Sequence, residues 1–228
     1  MTEAQASVGL DRRNTDSAIA AALGLKPLSA DAEVNRAMEE AEHLGEKNLN
    51  PEGIGFFSLL REDLRTHEND LFSQGFWALA VHRFGNARMS IRPKLLRLPF
   101  SIIYKILYKF VEWTCGISLD YATKVGRRVH LWHHSGMILS CREIGDDVHI
   151  RQNTTFGVRR RNDHVSQRPV IGPRCDIGVG VVIIGPVTIG HDSVIGANSV
   201  VLHDVPPHAV AVGSPAKVIR QGPREAVR

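Results

Sequence analysis

Apolar positions along this chain follow two periods. From Ser29 to Trp113 they recur at three and four residues, one face of a helix; beyond Cys115 they recur at six. The first region predicts a helix from Ser29 or Asp31 as N-cap to Gly45 as stop, then helices in "GFFSLLREDLRTH" and "SQGFWALAVHRFGN", and a fourth ending at Trp113. In the last of these, Leu96, Phe100, Ile103, Leu107 and Phe110 share one face, expected to be core or subunit interface. Residues 1–28 mix Ala, Ser, Gly and charge without sustained periodicity and are expected to be disordered.

In the second region Ile171, Ile177, Ile183, Ile189, Ile195 and Val201 stand six apart, and Gly172, Gly178, Gly190 and Gly196 follow four of them. Leu119, Val125, Leu131 and Met137 keep the same spacing upstream, as do Ile144, Ile150 and Phe156 after a slip of one residue. Six residues turn an α-helix by roughly 600°, so these side chains would not share a face. A single strand from Ile171 to Val201 would stretch about 100 Å. The economical solution is a coil that bends every six residues, aliphatic side chains inward and glycine at the corners. Ser135, Cys175, Val181, Val187, Ser193 and Ser199, two positions earlier in each hexad, are expected to face inward too. Three hexads per turn give about four coils stacked at ~4.8 Å. Phe156 to Ile171 breaks the register and predicts a loop, 158–169, thrown out of the coil. The fold class is therefore α+β, with an α-helical domain over 29–115, a β coil over 116–219 and a C-terminal tail over 220–228.

Composition narrows the function. The 228 residues are 43% hydrophobic and 23% charged, ordinary for a globular chain. A net charge of +4 suits an anionic ligand but falls short of a nucleic-acid footprint. Cys115, Cys141 and Cys175 are odd in number and widely spaced, which gives neither a disulfide framework nor a cysteine metal site and fits a cytoplasmic home. The segment from Leu95 to Trp113 is interrupted by Arg97, Lys105, Lys109 and Glu112, so no transmembrane span is expected.

The six-residue repeat resembles that of the hexapeptide-repeat acyltransferases, whose left-handed parallel β-helix departs from the usual right-handed crossover. Within that superfamily the helical N-terminal half, "GISLDYATKVGRR", "HHSG", "IGDDVHIRQNTTFG" and "IGANSVVLHDVPPHAVAVGSPAKVI" resemble the serine O-acetyltransferases, closest to short forms found with polysaccharide synthesis genes. The match runs from about Phe56 to Ile219.

The resemblance implies acetyl transfer from acetyl-CoA to a hydroxyl, and a histidine base suits that reaction near neutral pH. His133 occupies the base position of the family's H-x-x-G segment, with His134 a neighbouring or interface side chain. Trp132 stands where those enzymes carry an acidic residue, and Ser118 and Asp120 stand where they carry another acid and a histidine; Asp120 or Asp147 is a candidate substitute. Arg168, before Pro169, takes the place of a second histidine and is expected, with Asp120 and His134, on the acceptor side. The resemblance places Gly157, Val158, Gly178, Val179 and Ala197 along the pantetheine arm of CoA and Lys217 and Arg159 by its phosphates, although Gly178 and Ala197 equally suit coil packing. No metal is expected, since adjacent strand residues point apart. Cys141 reads as packing. His130, His149, His164, His191, His203 and His208 read as exposed.

Two enzymatic readings follow: serine O-acetylation in cysteine biosynthesis, or O-acetylation of a sugar hydroxyl in surface polysaccharide synthesis. A catalytically silent β-helix acting as an assembly partner is the third. The resemblance further implies a homotrimer with active sites between neighbouring coils, and a dimer of trimers as a larger assembly.

Overall fold

A computed structural model describes residues 46–160 and 162–222. The region 1–28, the helix ending at Gly45 and the tail from 223 onward lie outside the described residues. The chain divides into two units, Met1–Glu39 and Glu40–Arg228, and everything below concerns the second.

Three helices precede the coil: α1 (Phe56–Thr66), α2 (Gln74–Ala87) and α3 (Lys94–Cys115). The Ser73 side chain caps α2 by accepting from the Phe76 amide. Gly116 ends α3 in the left-handed conformation at φ 63°, its amide donating to the Glu112 carbonyl. Helix α2 is the hub of the packing, burying Phe76, Ala78, Leu79 and Val81. Arg83, also on α2 and fully buried, donates to both carboxylate oxygens of Asp63 on α1 and to the carbonyls of Val125 and Gly126. One guanidinium thereby ties two helices to the first coil.

The repeat forms a left-handed parallel β-helix. Strands β1 (Ile117–Ser118), β4 (Met137–Leu139), β7 (Thr155–Gly157), β10 (Val182–Ile184) and β13 (Val200–Val201) stack as a first face. A second face holds β2 (Lys124–Val125), β5 (Glu143–Ile144), β8 (Val170–Ile171) and β11 (Thr188–Ile189). The third holds β3 (His130–Trp132), β6 (His149–Arg151), β9 (Asp176–Ile177), β12 (Val194–Ile195) and β14 (Ala209–Gly213), with β15 (Ala216–Gln221) antiparallel on β14. Four coils close, and β13, a bridge from Ile189 to Val205, and β14 make a fifth. The loop over 158–169 separates β7 from β8. The final strand runs to Gln221, past the expected end of the coil at 219.

Register puts each hexad aliphatic above its equivalent. Phe156 lies beside Ile183 and Ile183 beside Val201; Ile144, Ile171 and Ile189 form a second interior ladder; Ile150, Ile177 and Ile195 form a third. All of these are buried, each contributing about 1.5–3 kcal/mol.

Two expectations are corrected. Leu139, not Met137, sits beside Phe156, while Met137 pairs with Ile117 and takes the small-residue position. The single slip is thus the sum of an insertion before Met137 and a deletion after Leu139. The inserted residues leave the coil, so Ser135 is exposed instead of inward-facing. On α3 the core-facing side chains are Tyr104, Val111 and Cys115, whereas Leu96, Phe100, Ile103, Leu107 and Phe110 face outward from this chain. They are therefore not core of this chain. No helix among the described residues is long and apolar enough to cross a membrane.

Candidate active site

The three faces meet at three edges. Residues following β3, β6, β9 and β12 turn the corner from the third face to the first; those following β1, β4, β7 and β10 turn from the first to the second. His133 and His134 occupy the first of these edges.

Strand β3 stops at Trp132, and the chain then takes left-handed backbone at His133 (φ 59°), Ser135 (φ 82°) and Gly136 (φ 68°). This is the extruded insertion, and it is rigid at its base. The Ser135 amide donates to the Cys115 carbonyl, and the Ser135 carbonyl accepts from the Asn153 amide one coil on. The left-handed backbone at Gly136 favours glycine, and a β-carbon there would fall 2.4 Å from Asn153 Oδ1, so that side chain would have to shift. His133 itself is exposed and makes no hydrogen bond with any described residue. Both ring nitrogens are open to a ligand.

Behind it lies an aromatic stack that the sequence did not reveal. Trp132 stacks on His130 with centroids 3.8 Å apart, and its Nε1–H donates to His149 Nδ1 at 2.9 Å. His130, expected to be exposed, is buried, and it contacts His67, the C-cap of α1. His67 donates from Nδ1 to the Asp63 carbonyl and accepts the Leu131 amide at Nε2, which makes it the neutral Nδ1–H tautomer. Burial, assisted by repulsion from His67, His149 and His133, lowers His130 to about 4. The signal for this cluster lay in the register: His149 is paired with His130, one coil below.

Among the described residues no carboxylate forms a hydrogen bond or ion pair with His133. Asp120 lies at the corner after β1 and accepts the Ala122 amide. Asp147 lies at the remaining edge, between the second and third faces, where Arg128 binds both its oxygens and holds its pKa below the usual range.

The residues expected to bind CoA and acceptor divide between two edges. Gly178, Val179 and Ala197 share the His133 edge, tied by amides of Gly180 to Gln152 and of Asn198 to Val179. Lys217 is exposed on β15, opposite Val212 of β14. Gly157, Val158, Arg159 and Arg168 belong instead to the corner after β7, the same edge as Asp120. Arg159 donates to the Leu202 carbonyl, and Arg168 has one buried Nη1 without a described partner. Gly178 is held by packing, since a β-carbon would lie 2.7 Å from the Ala197 nitrogen. Cys141 is fully buried and burial pushes its thiol well up, so it is no nucleophile.

Among the described residues, the side chains with metal-ligand chemistry that converge are His191, Asp192 and His208, their ligand atoms within 4.8 Å of one another. Arg174 already binds both oxygens of Asp192, and His191 Nδ1 lies 2.6 Å from Asp192 Oδ2. That carboxylate is satisfied without an ion.

No family model matches the chain. It is 39% identical over 114 residues to a serine acetyltransferase of Mycobacterium tuberculosis, a stretch covering 50% of this chain and 49% of that relative. It is 30% identical over 186 residues to the serine acetyltransferase of Bacillus subtilis, covering 76% of this chain and 82% of the relative. The structure of Brucella abortus serine acetyltransferase in complex with coenzyme A superposes with a TM-score of 0.62 at 20% identity, covering 92% of each chain.

Proposed function

The chain belongs to the serine acetyltransferase family, and from that premise we propose that it is an acetyl-CoA-dependent O-acetyltransferase that acylates the hydroxyl of L-serine, with His133 as general base. The observation carrying this reading is His133 itself: an exposed imidazole without internal partners, projected by a rigid turn on the edge that also holds Gly178 and Val179. In the step we assign, His133 takes the hydroxyl proton and the alkoxide attacks the thioester carbonyl. Collapse of the tetrahedral intermediate expels CoA thiolate, which recovers the proton from the imidazolium. Acetyl-CoA is the co-substrate and CoA the product; coenzyme A in the Brucella abortus structure supports this reading.

The division of the expected binding residues over two edges supports a site completed by a second copy, the His133 edge of one subunit facing the Arg168 edge of its neighbour in a homotrimer. The test is release of free CoA thiol from acetyl-CoA by the wild type and His133→Ala. Turnover should fall by about 10²–10⁴-fold with folding retained. Full activity in a folded variant rejects the assignment.

Trp132 favours a second reading, O-acetylation of a sugar hydroxyl. An indole ring in place of a carboxylate beside His133 leaves no counter-charge for the serine amine on that edge, and offers an apolar surface instead. Thiol release with serine against nucleotide sugars decides between the two. No release with any acceptor, together with no CoA binding, supports the assembly-partner reading.

A further inference from the structure

A polar cavity lies in the helical half, lined by none of the residues expected to bind CoA. It encloses about 590 Å³ between the end of α2 and the start of α3. Arg88, Arg92, Lys94 and Arg97 line it, and Glu46 is the one carboxylate among its described lining residues, so four positive charges face one negative. Arg88 is the unusual member. It is only 8% exposed, and its guanidinium is held between two tyrosine rings, 4.6 Å from the centroid of Tyr104 and 4.4 Å from that of Tyr121. Among the described residues Nη1 reaches only Met89 Sδ and Ser101 Oγ, and Nε has no hydrogen-bond partner. None of the four basic residues forms an ion pair with a described carboxylate.

A buried guanidinium without an anion is costly, and stacking on tyrosine offsets only part of that cost. The start of the 22-residue α3 adds to the same positive field. Its N-cap is Pro93, no side chain caps it, and its first turn has no acidic residue. Its free amides and dipole favour an anion at the mouth of the cavity. Cations on several sides and a helix N-terminus suit a multiply charged tetrahedral anion better than a single carboxylate, and the volume exceeds what one phosphate fills.

We propose that the Arg88 pocket binds a small molecule through a phosphate or diphosphate group, at a site separate from that of acetyl transfer. The proposal does not rest on the acetyltransferase reading.

Calorimetric titration of the full chain, without and then with saturating CoA, tests it with three probes: inorganic phosphate, pyrophosphate and UDP. Pyrophosphate should bind once per chain, more weakly as salt rises, and Arg92→Ala, Lys94→Ala and Arg97→Ala should each weaken it about tenfold. Arg92 and Lys94 are exposed, so those two variants should fold; unchanged melting temperatures check this. CoA-thiol release should be unaffected in all three. UDP tighter than pyrophosphate identifies an esterified ligand, and equal affinity identifies the phosphoryl group alone. No binding of any probe at millimolar concentration, loss of binding on CoA saturation, or affinity indifferent to all three substitutions overturns the proposal.

Discussion

At the scale of single residues, the candidate site depends on backbone geometry as much as on its histidine. Gly136 is favoured by its φ of 68°, and any larger residue there would also press on Asn153 Oδ1. Gly136→Ala should cost about 1–2 kcal/mol from the backbone angle alone, with a larger loss of turnover as the His133 turn shifts. Thermal unfolding and CoA-thiol release on the same preparation measure both; unchanged values in both would remove the role given to this turn. Cys115, Cys141 and Cys175 are all buried. A thiol-labelling reagent at pH 7.5 should leave them unmodified until denaturant is added, as read by mass spectrometry.

At the scale of elements, Arg83 is one of the ties between helices and coil. Its charge is satisfied by Asp63 and by two carbonyls of the first coil, with both side chains of the ion pair fully buried. Arg83→Met would strand Asp63 in the interior and should destabilise the fold by about 3–5 kcal/mol, measured by urea unfolding. The paired change Arg83→Met with Asp63→Leu should recover much of that loss, because a buried apolar pair of similar volume replaces the ions. The exposed face of α3 belongs to this scale too. If it is a subunit contact, Ile103→Asp with Phe110→Asp should lower the mass seen in sedimentation equilibrium. An unchanged mass would place the contact elsewhere.

At the scale of the whole molecule, buried histidines link stability to pH. Burial lowers His82, fully enclosed with Nε2 donating to the Thr123 carbonyl, to about 3, and lowers His130 to about 4. Below the ordinary value of 6.5 the unfolded chain takes up protons that the folded chain refuses, so stability falls as pH drops from 6.5 toward 4 and levels off beneath the folded values. At pH 5 each histidine should cost about 2 kcal/mol relative to pH 7. Urea midpoints at the two pH values check the sign, and His130→Gln should reduce the difference. Equal midpoints would contradict it.

The sequence by itself determined the coil. A six-residue period is incompatible with helix or flat strand, and its interior aliphatics, from Leu119 to Val201, are buried where the period predicts, because side-chain direction along a repeat is a local property. His133 was legible as the candidate base through its motif. What only the tertiary structure decided is what comes together across coils. Ser135 points outward because the insertion leaves the register, and Leu139 replaces Met137 in the ladder because pairing with Phe156, 17 residues on, fixes which residue turns inward. His130, Trp132 and His149 meet because neighbouring coils stack, a contact between distant residues that no local pattern encodes. The same holds for Arg88, whose neighbours Tyr104 and Tyr121 come from α3 and the first coil. Spacing along a chain sets direction; only the closed fold sets proximity.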